Sequence, residues 1–472
     1  MPEDLEYFQN EDFKRILRQY EESVKSGEHI YMDADDLTDI ADYYRSKNRL
    51  SEAEDAMSLA LEYNPDAVGP MLYKARKALE ANDLETAEQY ADKIEPLDNI
   101  EALYLRAEIL IIKEDIDGAD KLLTEYLKDA SEDEYDDIAN EIASLYLDYS
   151  QFAMAFKWII RSADTNSVEF KELMARTLFG LGKYKDSEKI FNELLDKNPY
   201  SASYWNALAG VQYMKNDFSS ALASSEYALA INPEDANGLL SKANTLYALG
   251  NYDEAFKFFQ KYSEKEPNDD SGYFHQARCL INKGQFSEGI ECLEKAANVA
   301  RSDSESLPEI YQEMAFTYNV LGQIDKALWC IDMTDQLDCD HLHMGITKGH
   351  ILLTNHKDEE AKAIFAKVLK ESGHNPHIWL RIIISFHDNK FLDSAYDAYK
   401  KFFATVGNDF KEGYTYMALC CKELKKNEEF LYYLKKACDC NPEEANTVLS
   451  EFFPEGMDPK DYYKYALKHS ND

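Results

Sequence analysis

The chain has 472 residues, of which 45% are hydrophobic, with only 18 glycines and 12 prolines. A single compact core seldom grows to this length, so the sequence predicts several globular domains or a repeat array that extends in one dimension. The 51 basic and 89 acidic residues give a net charge of -38, which repels a phosphate backbone and argues against nucleic acid as a partner.

The first residues and the cysteines indicate a compartment. Residues 1–7 contain no basic segment followed by an apolar one, and no stretch approaches the ~18 uninterrupted apolar residues that a membrane helix needs. All eight cysteines lie after residue 278, several at helical positions whose side chains would point apart, which favours free thiols. We therefore expect a cytoplasmic protein without membrane insertion.

Residues 11–26 predict a capping helix at the start of the chain. One face of this helix would carry Phe13, Ile16, Leu17, Tyr20 and Val24. The end of a repeat array is apolar, so such a helix would cover the first repeat.

The prolines at 199, 233 and 267 recur at one interval of 34 residues, and this frame extends along the chain. Units begin near residues 34, 68, 100, 136, 168, 202, 236, 270, 308, 342, 375 and 411. Two columns of small residues recur in the frame, as expected where two helices of a hairpin approach closely. The first column is Ala41, Ala75, Ala107, Ala143, Ala175, Ala209, Ala243, Ala277, Ala315, Gly349 and Ala418, with Ile382 as its exception. The second column is Ala53, Ala87, Ala119, Ala155, Ser187, Ala221, Ala255, Gly289, Ala327, Ala361 and Ser394, with Phe430 as its exception.

Each unit also carries a signal that ends its first helix. Asparagine and glycine tolerate the left-handed conformation that closes a helix. The frame places Asn48, Asn82, Gly182, Asn216, Gly250, Gly284, Gly322 and Asn389 at this position. The sequence therefore predicts tandem helix pairs.

The unit containing Ala243, Leu246, Gly250, Tyr252, Ala255, Phe259 and Pro267 resembles the tetratricopeptide repeat, whose pattern is W-x2-L-G-x2-Y…A-x3-F…P. The resemblance implies an all-α fold, a right-handed α-solenoid (superhelix) of tandem antiparallel helix pairs. It divides the chain into a capping helix in 1–33, about eight repeats in 34–299, about four in 300–444, and capping helices in 445–472. The longer stretch at 297–307 lengthens one connection and marks the expected kink or subdomain boundary near residue 300.

In this family the first helix of every pair lines a concave groove that receives a peptide or helix of a partner. The corresponding positions of the central repeats are Arg176, Phe179, Asn206, Tyr213, Asn244, Tyr247, Phe274, His275 and Arg278. They combine aromatic walls with hydrogen-bond donors for a partner's backbone or carboxylate. Alternatively, the aromatic residues only pack between neighbouring first helices and the arginines only neutralise an acidic chain.

No catalytic or metal-binding motif stands out in the sequence. Phosphate-binding loops, H-E-x-x-H and paired C-x-x-C motifs do not occur, so we expect neither an enzyme nor a cofactor. One cluster resembles a metal site, namely Cys339, Asp340, His341 and His343, followed by His350. Its spacing matches no standard zinc signature, and we expect residues 339–343 to lie at a turn between repeats.

These observations favour a protein-interaction scaffold or adaptor that binds a peptide or helix of a protein partner. The net charge favours a basic partner, although it also serves simply to keep the surface solvated. A self-assembling structural protein and an accessory subunit of a larger complex are the alternatives.

Overall fold

A computed structural model describes residues 8, 10–26, 31–47, 49–94, 99–128, 131, 134–301, 304–406 and 410–469. In these residues, the regular secondary structure is helical, and strands do not occur. The chain forms two compact units, Met1–Ser224 and Ser225–Asp472, and each is described by itself. The domain boundaries expected from the sequence, including the one near residue 300, stay predictions.

The first unit begins with α1 (Glu11–Ser26), and helix pairs follow it. The pairs are α2 (Ala34–Ser46) with α3 (Leu50–Tyr63), α4 (Val68–Glu80) with α5 (Leu84–Ala91), α6 (Ile100–Ile112) with α7 (Ile116–Leu127), α8 (Tyr135–Asp148) with α9 (Phe152–Ile159), and α10 (Val168–Gly180) with α11 (Tyr184–Lys197). After them come α12 (Ala202–Met214) and α13 (Phe218–Ile231), and the division between the units falls within α13.

The second unit continues the same pattern. Its pairs are α14 (Ala236–Ala248) with α15 (Tyr252–Lys265), α16 (Asp270–Asn282) with α17 (Phe286–Val299), α18 (Leu307–Val320) with α19 (Ile324–Met333), α20 (His341–Thr354) with α21 (Asp358–Glu371), α22 (Pro376–Asp388) with α23 (Leu392–Val406), and α24 (Tyr414–Glu423) with α25 (Asn427–Cys440). Two helices close it, α26 (Pro442–Leu449) and α27 (Pro459–Lys468), with short 3-10 segments at Thr334–Gln336 and Ser450–Phe452. The tandem helix pairs predicted from the sequence are confirmed.

The first helices end where the sequence predicts. The backbone is left-handed at Asn82 (φ 58°) and Asn216 (φ 59°), and at the glycines of the same frame position, Gly182, Gly250, Gly284 and Gly322. Because these residues adopt a positive φ at little cost, the chain reverses there into the second helix. Asn48 lies outside the described residues.

The two small-residue columns lie at the helix crossings. Every alanine of both columns and Ser187 have no exposed surface. At Gly349 a Cβ atom would lie 2.6 Å from Cζ of Phe365, so the ring already fills the space that alanine takes elsewhere. Close approach of the paired helices therefore requires small side chains at these positions.

One unit is shifted by one residue from the predicted frame. Helix α22 begins at Pro376 because Asn375 caps it, its side chain accepting a hydrogen bond from His377 N at 2.9 Å. The residue with positive φ is consequently Lys390 (φ 65°), and the prediction of Asn389 is wrong. The same shift corrects two more positions. Ile383 and Ala395 lie at the crossings in place of Ile382 and Ser394, and Ser394 is exposed.

The capping helices form, but their outermost apolar residues do not pack. Phe13 and Tyr20 of α1 are buried, whereas Val24 is 62% exposed, which corrects its assignment to the packed face. In α27, Tyr462 is buried beneath Phe453, whose ring stacks on it at 3.9 Å.

Candidate functional site

The sequence-predicted site residues lie on first helices, and they are divided between the two units. The first unit contains Arg176 and Phe179 on α10 and Asn206 and Tyr213 on α12. The second contains Asn244 and Tyr247 on α14 and Phe274, His275 and Arg278 on α16. The two sets are therefore considered separately.

In the first unit, the aromatic residues pack against the second helix of their own pair. Phe179 is 37% exposed, and its ring lies 5.8 Å from that of Tyr184. Tyr213 lies 5.4 Å from Phe218 in the same way. In each pair, one ring precedes the turn between the two helices and the other follows it. These aromatic residues therefore hold the helix pair together, and only their exposed edges remain available to a partner.

Arg176 is the exposed cation of this set. Its Nη2 lies 3.7 Å from Oδ1 of Asp148, and both side chains are largely in solvent. Such an exposed pair contributes little to stability. In the described part of the chain the guanidinium makes no hydrogen bond, so its donors face solvent. Asn206 is half-buried two helices away along the chain.

In the second unit, Arg278 lies among polar and aromatic groups of neighbouring first helices. The centre of its guanidinium is 5.5 Å from the ring centroid of Tyr247 and 5.7 Å from that of Phe274. The Asn282 side chain, one turn further along α16, donates a hydrogen bond of 2.8 Å to the hydroxyl of Tyr247. Tyr247, Arg278 and Asn282, together with the half-buried Asn244, are called the Arg278 surface.

The acidic neighbours of Arg278 hold it loosely. Its Nη1 lies 3.9 Å from Oε1 of Glu309, and its Nε lies 4.0 Å from Oε1 of Glu313, both on α18. These distances exceed those of a hydrogen bond. Burial raises the pKa of the Glu313 carboxyl, and the positive charge of Arg278 opposes that shift. Within the described residues, the guanidinium donors of Arg278 have no hydrogen-bonded acceptor.

His275 and Phe274 belong to the interior of the second unit. Phe274 is 4% exposed, which corrects its prediction as a groove-facing residue. The ring of His275 stacks on Phe259 with centroids 5.1 Å apart. Burial, together with the nearby charge of Arg278, lowers the pKa of His275 to about 4. The imidazole is therefore neutral near pH 7 and packs as an aromatic ring.

Three histidines on later first helices were not among the groove residues predicted from the sequence. His343 shares a hydrogen bond of 2.8 Å with Gln312, and His350 shares one of 3.0 Å with Ser385. His387, buried in α22, lies 2.5 Å from a carboxylate oxygen of Glu423. The repeat frame carried the signal. His350 occupies the same frame position as Arg176, Asn244 and Arg278, and reading that position beyond the central repeats finds it.

The cluster around Cys339 has no metal-binding geometry. Sγ of Cys339 lies 3.7 Å from Nδ1 of His341, while the ring of His343 faces Gln312 and Arg381 instead. Over the described ranges, no three histidine, cysteine or acidic side chains converge as metal ligands. All eight cysteines are free thiols, most of them buried.

Two family models match the chain. One, described as a tetratricopeptide repeat, matches residues 38–99, and the other, described as anaphase-promoting complex (cyclosome) subunit 3, matches residues 195–296. The chain carries repeats of the tetratricopeptide type. The family resemblance inferred from the repeat frame is thus confirmed, and tetratricopeptide-repeat proteins serve as protein-interaction scaffolds.

Curated relatives match parts of the chain. Protein FlbA of Caulobacter vibrioides is 29% identical over 37% of this chain and 28% of its own length. Superkiller protein 3 of Schizosaccharomyces pombe is 22% identical over 39% of this chain and 14% of its own. The mitochondrial import receptor subunit TOM70 of Saccharomyces cerevisiae is 30% identical over 27% of this chain and 22% of its own. The chain thus spans less than a third of the length of each of these relatives.

Solved structures give a distant likeness. The APC/C hetero-tetramer Cut9-Hcn1 matches 96% of this chain and 95% of that chain at 15% identity and a TM-score of 0.37. A tetratricopeptide repeat protein of Parabacteroides merdae matches 60% of this chain and 97% of that chain at 14% identity and a TM-score of 0.39. Among the helices that are described here, none has the length and apolar character to cross a membrane.

Proposed function

We propose that this tetratricopeptide-repeat protein is a non-catalytic scaffold in the cytoplasm, and that the Arg278 surface binds an extended or helical segment of a protein partner. The observation that carries the proposal is the state of Arg278. Its guanidinium lies beside the ring of Tyr247, with no hydrogen-bonded acceptor among the described residues and only distant glutamates. An arginine held in this way offers directed donors to a peptide carbonyl or carboxylate.

The neighbouring amides suit the same ligand. The side chain of Asn244 carries donors and an acceptor and makes no hydrogen bond to any described residue. The amide nitrogen of Asn282 already donates to the Tyr247 hydroxyl and to the Arg278 carbonyl, both at 2.8 Å, so Asn282 offers its amide oxygen as an acceptor. A peptide backbone presents alternating acceptors and donors, so amide side chains on successive first helices match it. Glu309, whose side chain is 57% exposed, lies at the edge of this surface and suits a basic residue of the partner.

The charge of the chain supports a partner that is basic overall. A net charge of -38 attracts a positive segment at long range and repels nucleic acid. In the first unit, Arg176 with the exposed edge of Phe179 offers a second, smaller surface of the same kind. The names of the relatives, an anaphase-promoting complex subunit and an import receptor subunit among them, support a role within protein assemblies.

The test is a pull-down from native lysate at low and moderate salt, followed by mass spectrometry. The variant Asn244→Ala/Arg278→Ala removes two of the hydrogen-bonding side chains of the surface and leaves Tyr247 and Asn282 in place. Its matched control is Lys257→Ala on α15, an exposed lysine paired with Glu254 of its own helix. We expect a partner that is retained by wild type and by the control and lost from the double variant at equal helicity.

Retention of every partner by the double variant contradicts binding at the Arg278 surface. A mass that rises with concentration in light scattering, without a retained partner, favours the self-assembling alternative instead. A partner that carries an enzymatic activity would make the chain an accessory subunit.

A further inference from the structure

A second site lies at the C-terminal end of the second unit. A cavity of about 250 Å³ opens between α24, α25, the segment after α26, and α27. Its apolar walls include Phe430, Phe453 and Tyr465, and its polar groups are Lys422, Asn427 and His469. Among the described residues, no acidic side chain lines it, although the chain contains 89 of them.

The aromatic walls are fixed by contacts within the unit. Phe430 is 4% exposed, and the Phe453 ring stacks on Tyr462 at 3.9 Å. Tyr465 lies edge-on to Phe453 at 6.0 Å and stacks on His469 at 4.2 Å. Because contacts within the protein already fix the positions of these rings, binding a ligand between them costs little free energy for ordering the side chains.

Lys422 is exposed and supplies a positive charge that none of the described residues neutralises. Its Nζ lies 4.9 Å from the ring centroid of Phe430, and within the described residues it forms no ion pair. The adjacent carboxylate of Glu423 is engaged elsewhere, at 2.5 Å from His387 and 3.1 Å from Lys390. An ammonium group beside an apolar cavity and without a counter-ion favours a ligand that is both apolar and anionic.

We propose that this cavity binds an apolar carboxylate, a phenyl or branched aliphatic group joined by a short chain to a carboxylate. The apolar group enters between Phe430 and Tyr465. The carboxylate accepts hydrogen bonds from Nζ of Lys422 and from the amide of Asn427. The volume, slightly below the roughly 300 Å³ at which drug-sized pockets begin, fits a group of amino-acid size. Such a carboxylate exists as a free acid and as the C-terminal residue of a polypeptide.

The experiment titrates the full chain with 3-phenylpropanoate and with 3-phenylpropanamide, using ligand-observed saturation-transfer NMR. We expect the acid to bind about tenfold more tightly than the amide, as for the loss of one charge-assisted hydrogen bond. Lys422→Gln should reduce acid affinity by a similar factor, and Lys422→Arg should restore it. Lys401→Gln, an exposed lysine on α23 away from the cavity, is the matched control and should bind as wild type does.

A second arm separates the two sources of the carboxylate. The tripeptide acetyl-Gly-Gly-Phe is compared with its C-terminal amide. Tighter binding of the free-carboxyl peptide than of 3-phenylpropanoate supports a polypeptide terminus, and binding of the small acid alone supports a free metabolite. Equal binding of acid and amide, no binding of either, or an unchanged affinity in Lys422→Gln overturns the proposal. Ala466→Trp fills the cavity, and an undiminished signal in that variant also overturns it.

Discussion

Gly349 provides the sharpest test of the packing. Ten units carry alanine at this frame position, so a consensus argument predicts that Gly349→Ala stabilises helix α20 by about 1 kcal/mol. The structure predicts the opposite sign. A Cβ atom at Gly349 would lie 2.6 Å from Cζ and 2.8 Å from Cδ1 of Phe365, which is 3% exposed and packs on Phe386 at 5.3 Å.

The magnitude follows from two opposing effects. Overpacking a filled core costs about 1–3 kcal/mol, and the gain in helix propensity offsets about 1 kcal/mol of it. We therefore expect Gly349→Ala to lower the free energy of unfolding by about 0–2 kcal/mol. Urea denaturation followed by circular dichroism measures this, and the transition of the second unit should move to lower urea.

Phe365→Leu supplies the control. It removes the ring that occupies the space, so in that background Gly349→Ala should stabilise the protein, with a coupling energy of about 1–3 kcal/mol between the two sites. A stabilising effect of Gly349→Ala in the wild-type background would refute the reasoning, because it would mean that the ring moves aside at no cost.

Three further substitutions have predicted effects on the stability of the folded state. Folding lowers the pKa of His275 from an ordinary 6.5 to about 4, so below pH 6.5 the unfolded chain binds a proton that the folded chain does not. The free energy of unfolding should therefore fall by at most about 3 kcal/mol between pH 6.5 and 4. His275→Phe should flatten that part of a plot of the urea midpoint against pH. Burial alone would lower the pKa of His387, but Asp388 and Glu423 outweigh burial and hold this pKa above its ordinary value. The stabilisation of the folded state by protonated His387 is therefore complete below pH 6.5 and is lost as pH rises. If His387→Gln leaves the loss of stability at high pH unchanged, this reasoning is wrong. Nε1 of the fully buried Trp158 donates a hydrogen bond of 3.0 Å to the carboxylate of Asp120. Trp158→Phe should therefore lower the free energy of unfolding, measured by thermal denaturation, by about 1.5–3 kcal/mol. Trp329→Phe, at a half-exposed tryptophan, is the control and should lower it much less.

The helix pairs were predictable because several independent signals coincide in one frame. A helix begins within three residues of every predicted unit start. At residue 375 the frame slipped because Ile382 and Ile383 are both apolar and both buried, so composition cannot choose between them. The local signal, an asparagine cap followed by proline at Asn375 and Pro376, decides the register in the structure.

The candidate site was predictable in position but not in environment. The frame correctly places Arg278 and Tyr247 on neighbouring first helices. It cannot tell that Phe274 turns into the core while His275 stacks on Phe259, because both depend on which neighbouring helix covers that face. For the same reason Val24 fits an apolar helical face by periodicity and yet remains exposed, since no described element covers it.

The hydrophobic clusters of each unit have a kinetic consequence. Each cluster draws its buried residues from helices that are near neighbours in sequence, such as Ala175, Phe191 and Val211 in one and Ile346, Phe365 and Ile382 in another. Such contacts form with short loop closures, so each unit should fold quickly and open by fraying a few helices at a time. A partner that spans α14, α16 and α18 would join helices that otherwise open separately, and would slow amide exchange there without changing the backbone conformation.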